Sequence, residues 1–251
     1  MEGLEHSLFI VTLVNRLLGP SIASLMARFG RQINPETAIP DYVLMSFLVM
    51  VVLTISLGLA SRRLEIIPRG KQNLLESVVE FFEGQLGDII GPEGKKYLPL
   101  VGTIGLFILT SNLLGLVPGL MSPTSKLNVT AACALTVFIY YHWQGMKSQG
   151  VLKYLKHFTG PIPLLAPLLL PIEIISHFSR PISLSIRLFG NIFAEELLIM
   201  VIASIIPFVL PLPFMAISIF TAVIQAFVFV LLTCIYLAGA VTHEEEAHKK
   251  E

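Results

Sequence analysis

The stretch LLAPLLLPIEIISHFSRPISLSIRLFGNIFAEELLIMVIASII, residues 164–206, decides the fold. Apolar residues dominate it for about forty positions, which gives about 60 Å of helix at about 1.5 Å per residue. That length is about twice the hydrocarbon thickness of a bilayer, which is about 30 Å. The segment therefore either crosses a membrane at a strong tilt or kinks at Pro167, Pro171 and Pro181.

The composition of the whole chain agrees with a membrane location. Of 251 residues, 54% are hydrophobic and 14% are charged, whereas soluble domains carry about 25% charged residues. The 17 Lys and Arg residues balance 17 Asp and Glu residues, so the charge indicates no surface for nucleic acid. Cys133 and Cys234 lie far apart in apolar runs, and no nucleotide, haem or metal motif is present. We therefore expect no cofactor.

Further apolar segments lie on both sides of this stretch. Upstream, residues 38–60, 97–120 and 127–143 are predicted spans. Downstream, residues 214–241 follow the proline-rich PFVLPLPF and are predicted to form, with residues 164–206, a long and strongly tilted hairpin.

Two segments are predicted to lie on the membrane surface. In residues 71–90 apolar side chains recur at helical spacing between charges, which is typical of an amphipathic helix at the interface. Residues 1–37 are predicted to be an external segment with an interfacial helix. The sequence thus predicts an all-α integral membrane protein, one membrane domain over residues 1–251 with about five membrane-embedded helices.

Basic residues predict the orientation of the chain. They cluster in residues 61–96 and 145–158, which places these loops in the cytoplasm and the turn at 120–126 outside. The N-terminus is then external and the C-terminus cytoplasmic. Arg16, Arg28 and Arg31 on the external side count against this orientation.

Polar side chains around Arg187 share one face of the predicted helix. At about 100° per residue, Arg180 falls about 20° from Arg187, and the others fall within about 80°: Glu173, His177, Ser183, Asn191 and Glu195. Glu196 lies opposite. An arginine at the bilayer centre costs about 2.5–3.5 kcal/mol and usually faces protein or an aqueous cavity. The face therefore indicates an ion pathway. The alternative is that Arg180 and Arg187 snorkel, or pair with Glu173 and Glu195 to hold helices together.

The last apolar segment, residues 214–241, carries a second row of polar side chains. Ser218, Thr221 and Gln225 have the spacing i, i+3 and i+7, which places them on one helical face. Gln225 is predicted to position Arg187 across the hairpin. The alternative is that these side chains only join helices, at about 0.6 kcal/mol per bond.

Several motifs resemble one family. S-L-S-I-R-L-F-G-N at 183–191, the carboxylate Glu196, I-Q-A-F-V-F-V-L-L-T-C-I-Y-L at 224–237 and S-N-L-L-G-L-V-P at 111–118 are similar to subunit a of F-type ATP synthases. The resemblance implies a proton-translocating stator subunit with two aqueous half-channels, and no enzyme activity of its own. It implies that Arg187 is the essential arginine, facing the carboxylates of a ring of c subunits.

The resemblance also implies other roles and partners. Glu196 matches the carboxylate of the external half-channel, and Asn191 and Gln225 match polar positions beside the arginine. Some members carry a histidine where this chain has Ser218, and Glu195 adjoins Glu196, so either acid could relay protons. His177 and Glu173 are predicted channel residues on physical grounds alone.

The expected partners are the c ring, peripheral-stalk b subunits, the rest of the ATP synthase and the lipid bilayer, with no nucleic acid. The expected location is a bacterial plasma membrane, and a thylakoid is the alternative. Two other functions stay open. One is a stand-alone secondary transporter that uses the polar face, although the paired repeats common in transporters are not visible. The other is a purely structural membrane anchor.

Overall fold

Eight α-helices make up most of the computed structural model, which describes residues 9–28, 34–61, 70–117, 120–157, 166–206 and 209–241. No strand occurs among these residues. The helices are α1 (Phe9–Arg28), α2 (Asp41–Ala60), α3 (Lys71–Ile90), α4 (Leu98–Leu114), α5 (Leu127–Gln149), α6 (Val151–His157), α7 (Ala166–Ile205) and α8 (Pro211–Val241). The chain is an all-α membrane protein.

Four of the described helices are long and apolar enough to cross a membrane. They are α2, α4 with the 3-10 turn before it, α7 and α8. The sequence predicted about five membrane-embedded helices, and the fifth, at 127–143, corresponds to α5. Its polar side chains, among them Asn128, His142 and Gln144, make it less apolar than the other four. It packs against α7 and α8.

Helix α7 is one continuous helix across the stretch for which the sequence offered a strong tilt or proline kinks. It runs for 40 residues without interruption, with Pro171 and Pro181 inside it. Prolines are tolerated in membrane helices because neighbouring groups satisfy the backbone that they leave unpaired. At about 60 Å, α7 is too long to stand upright in a bilayer. Only 11% of its apolar stretch is buried within the subunit, so most of its surface is open to lipid or to a partner.

The core lies between α3, α4, α5 and α8, with one side of α7 packed onto it. Its largest buried side chains include Tyr97, Ile108, Tyr141, Phe229 and Leu237, and α7 contributes Leu184, Leu188 and Ile192. These three residues recur at i, i+4 and i+8, so they fix which side of α7 faces inward. Because lipid is as apolar as leucine, close van der Waals packing stabilises this contact.

A close approach of α4 and α8 depends on Gly105. A Cβ at this position would lie 2.7 Å from Val230 Cγ2 and 3.0 Å from the Phe82 ring. We expect Gly105→Ala to destabilise the subunit by about 1–3 kcal/mol, because overpacking forces side chains off their rotamers. Thermal unfolding in detergent measures the effect. Gly84→Ala is the control: its Cβ would meet nothing within 4 Å, so its melting temperature should stay the same or rise.

Helix α3 has the bounds predicted for the surface helix. It buries Phe82, Leu86 and Ile90, spaced four residues apart, against the core, and it contacts α4 and α8. It ends at Gly91, whose φ of 95° is a conformation that side chains disfavour. The helix therefore contributes one face to the fold and leaves the other open.

Some boundaries differ from the prediction. Helix α8 begins at Pro211, three residues before the predicted start, because proline is tolerated in the first helical turn. The predicted loop at 145–158 is largely helical, since α5 continues to Gln149 and α6 follows Gly150. The predicted span end at 118–119, the basic residues at 62–69, residues 164–165, the break at 207–208 and the tail at 242–251 lie outside the described residues.

Candidate functional site

Arg187 lies on the exposed side of α7 between two buried residues. Leu184 is 2% exposed and Leu188 is 0% exposed, so the helix is firmly held on both sides of the arginine. The guanidinium Nη2 donates to Ser183 Oγ over 3.5 Å, one turn back. Among the described side chains, no carboxylate lies within ion-pair distance of it. The cation is thus presented outward, and the alternative in which Arg187 pairs with Glu173 or Glu195 does not occur among the described side chains.

Asn191 and Gln225 join the two hairpin helices. Asn191 Nδ2 donates to Gln225 Oε1 over 2.7 Å, and Gln225 is only 4% exposed. The sequence predicted that Gln225 would position Arg187, and its carbonyl oxygen accepts from Asn191, one turn after the arginine. The bond sets the rotation of α7 against α8 close to the arginine.

Glu196 lies on the other flank of α7, as the helical wheel predicts. Its Oε1 accepts from the backbone N–H of Ser122 over 2.9 Å, in the turn between α4 and α5. The Ser125 hydroxyl and the positively charged Lys126 side chain also lie near the Glu196 carboxyl group. A Cβ on Gly115 would lie 3.0 Å from Glu196 Oε1. The glycine therefore makes room for the carboxyl group.

Glu195 faces a different element. The hydroxyls of Ser218 and Thr221 on α8 lie close to its carboxyl group, and Ser218 is 4% exposed. The two adjacent acids thus point to separate surroundings, one toward α8 and one toward the turn. They are chemically distinct positions.

Buried polar side chains connect the turn beside Glu196 to α8. Ser122 Oγ donates to the Ser111 carbonyl over 2.9 Å, and Thr124 Oγ1 donates to Asn112 Oδ1 over 2.6 Å. Asn112 Nδ2 in turn donates to the Ala222 carbonyl over 3.5 Å. Sequence reasoning missed Ser122 and Thr124 as site residues. The sequence feature that could have indicated Ser122 and Thr124 is the polar pair Ser111 and Asn112, which interrupts an apolar span.

Glu173 and His177 lie toward the other end of α7. His177 Nε2 is 3.3 Å from Glu173 Oε1, and His177 Nδ1 is 3.2 Å from the Tyr141 hydroxyl. Arg180 is stacked over the Tyr236 ring, with Cζ 5.2 Å from the centroid. The polar face predicted on the wheel therefore runs along the boundary between the buried and exposed sides of α7.

Rise per residue sets the spacing of these groups. Glu173 is 14 positions before Arg187 and Glu196 is nine after it, which corresponds to about 21 Å and about 14 Å along the axis. Acidic groups thus lie on both sides of one exposed cation. Within the described part of the chain, no three His, Cys, Asp or Glu side chains come together as metal ligands.

Known proteins resemble this chain along most of its length. The family model described as "ATP synthase A chain" matches residues 43–238. A protein of Campylobacter fetus named ATP synthase subunit a is 49% identical over 208 residues, which cover 82% of this chain and 92% of that protein. One of Syntrophotalea carbinolica, named ATP synthase subunit a 2, is 45% identical over 228 residues, which cover 90% of this chain and 95% of that protein.

The family match covers α2 to α8, including Arg187, both adjacent acids and Gln225. On this match, and on relatives that align over nearly their whole length, the chain belongs to the ATP synthase A chain family, as a subunit of an ATP synthase and not an enzyme by itself.

Proposed function

We propose that this chain is the proton-translocating stator subunit of a rotary ATP synthase, in which Arg187 faces the carboxylates of a ring of c subunits. One observation carries the proposal: an exposed cation on a largely apolar helix surface, with acids about 21 Å and about 14 Å away along the same helix. Such a cation in hydrocarbon needs an anionic partner. Because the described chain gives Arg187 no carboxylate, a partner subunit supplies it.

The cation governs when the ring carboxylate ionises. A protonated carboxyl is neutral, so it can travel through lipid as the ring turns. Beside Arg187 the ionised form is favoured, and the proton leaves to one half-channel. The site is then reloaded from the other half-channel. Each charge moved is worth about 2.3 kcal/mol per 100 mV, which biases the rotation.

Arg187 also separates the two half-channels. Arginine stays protonated, so it cannot accept a proton from one side and pass it to the other. The bond between Asn191 and Gln225 holds α7 and α8 together beside it. In this proposal, Asn191 and Gln225 position the arginine and block protons from passing between α7 and α8 beside it.

Glu196 and Glu195 line the external half-channel in this proposal. Glu196 beside Ser122 lies at the turn that the charge pattern places outside, and Glu195 lies on the side of α7 that faces Ser218 on α8. Glu173 and His177 line the half-channel at the other end of α7. The proposed setting is a bacterial plasma membrane with the N-terminus outside and the C-terminus inside. Peripheral-stalk b subunits and lipid would cover other surfaces.

A cross-linking experiment tests whether the exposed side of α7 faces the ring. Ile186 on α7 and Ile139 on α5 are the same residue type and are 55% and 58% exposed. Each is replaced with cysteine and labelled with a short photoreactive maleimide in the intact complex. We expect Ile186→Cys to cross-link to a small ring subunit and Ile139→Cys not to. A stand-alone transporter predicts no ring adduct at either position, and that result would contradict the proposal.

A further inference from the structure

A second group of titratable side chains is buried where α5, α6 and α7 meet. Tyr141 is 1% exposed, Tyr154 is 5% exposed and His177 is 8% exposed. His142 Nδ1 lies 2.7 Å from the Tyr154 hydroxyl, and the Tyr141 hydroxyl lies 3.2 Å from His177 Nδ1. Two imidazoles and two phenols are thus hydrogen-bonded inside a membrane protein, where polar groups are costly and usually serve transport.

The group connects to the exposed side of α7. Glu173, whose side chain is 38% exposed, lies 3.3 Å from His177 Nε2. The ring centroids of His177 and His142 are 5.1 Å apart, so the two imidazoles are neighbours, and one bridging water can complete the connection between them. A contiguous series therefore runs from Glu173 through His177 and His142 to Tyr154.

We propose that His177, His142 and Tyr154 form a proton relay that leads from Glu173 on α7 sideways to the corner between α5 and α6. The inference rests on the proposed function and deepens it, because it gives one half-channel a protein-borne route through α5 and α6. Lys147 and Lys153 lie at this corner, and the charge pattern predicts that it faces the cytoplasm.

Each transfer conserves protons. Glu173 gives its proton to His177 Nε2, and His177 becomes a transient imidazolium. The imidazolium then gives up its Nδ1 proton through the Tyr141 hydroxyl, which is hydrogen-bonded to that nitrogen, and one water carries the proton on to His142 Nε2. Both imidazoles are neutral again once His142 hands a proton from Nδ1 to the Tyr154 oxygen. Tyr154 releases its own hydroxyl proton to the aqueous side as it accepts this one.

Nearby groups keep the imidazoles neutral between transfers. Arg180 lies three residues after His177 on α7, and this fixed positive charge opposes a second one that stays on the neighbouring imidazole. The Phe138 ring lies 4.4 Å from the His142 ring, centroid to centroid, and excludes water on that side. Tyr236 packs against Arg180. A proton is therefore passed on and is not stored, as a relay requires.

The test uses the complete ATP synthase in inverted membrane vesicles. ATP synthesis is driven by a valinomycin–potassium diffusion potential, so that added weak bases do not remove the driving force. We expect His142→Gln and Tyr154→Phe each to slow synthesis about tenfold or more, since positioned proton carriers contribute about 10²–10⁴-fold. Tyr42→Phe, which removes a hydroxyl that accepts from Asn128 far from this group, should match the parent.

Chemical rescue separates a relay from a structural role. In His142→Ala, added imidazole should restore at least a third of the lost rate, because a free imidazole can carry the proton in the space left. It should do nothing for Arg187→Ala in the same vesicles. Synthesis at the parental rate in His142→Gln and Tyr154→Phe, or a loss in His142→Ala that imidazole leaves unchanged, would overturn the relay. Coupled synthesis in Arg187→Ala would instead overturn the proposed function.

Discussion

Replacing Arg187 with alanine should lower ATP synthesis and ATP-driven proton pumping by more than about 100-fold, which is about 2.7 kcal/mol or more of barrier. The complex should still assemble. The side chain is exposed, and its hydrogen bond to Ser183 is long at 3.5 Å, so its loss leaves the packing of Leu184 and Leu188 intact. What is lost is the cation that, in the proposed function, favours the ionised form of a ring carboxylate. Vesicle assays of both activities, with immunoblots for assembly, measure the effect.

Lysine at position 187 should not restore coupling. Its ammonium is a point charge that shifts its protonation easily when buried, whereas the guanidinium is always charged and planar. Arg187→Ala should also let protons leak passively, because nothing then separates the half-channels. Ile186→Ala is the matched control on the same exposed surface and should keep near-parental activity. If the alanine variant at 187 synthesised ATP at the parental rate, the central role of the arginine would be wrong.

Removing both adjacent acids should have the next largest effect. We expect Glu195→Gln/Glu196→Gln to lower the rate of coupled proton transport more than about tenfold, since positioned acid–base groups contribute about 10²–10⁴-fold to the rate of proton transfer. Glutamine keeps the carbonyl oxygen that accepts from Ser122 N–H, so the fold around the turn is preserved. Proton pumping in vesicles, measured for the single and double variants, gives the comparison.

The two single variants should differ because the acids lie in different surroundings. Glu196→Gln should lose more than Glu195→Gln, because Glu196 lies at the turn where we propose that protons enter. Glu36→Gln, an exposed acid near the N-terminal helix, is the control and should be unaffected. Unimpaired pumping in the double variant would remove both acids from the path.

Hydrophobic runs made most of the fold predictable. Membrane helices must satisfy their own backbone hydrogen bonds, so a long apolar run has few alternatives to a helix. The helices from α2 to α8 overlap their predicted segments for this reason, with the exception of α6. Helix α6 lies in a lysine-bearing stretch whose sequence is typical of a loop. Its position depends on the hydrogen bond between Tyr154 on α6 and His142 on α5, across the turn that joins the two helices.

Contacts between helices were much less predictable. The wheel placed Arg187, Asn191 and Glu195 on one face because that face depends on helix geometry alone. The partner of Gln225 depends on the rotation of α8 against α7, which no local pattern encodes, and it is Asn191. His142 and Ser122 were missed for the same reason. Each acquires its role from a residue on a distant segment.

The open surface of α7 has a consequence for movement. Around Arg187 it presents aliphatic and aromatic side chains, among them Ile175, Ile182, Ile186 and Phe193. Dispersion contacts are weak one by one and carry no directional preference. In the proposed complex, a ring that turns against these side chains has nearly the same interaction energy with α7 at every angle. The α7 surface then offers little resistance to rotation, and the Arg187 charge sets the position at which each ring carboxylate stops.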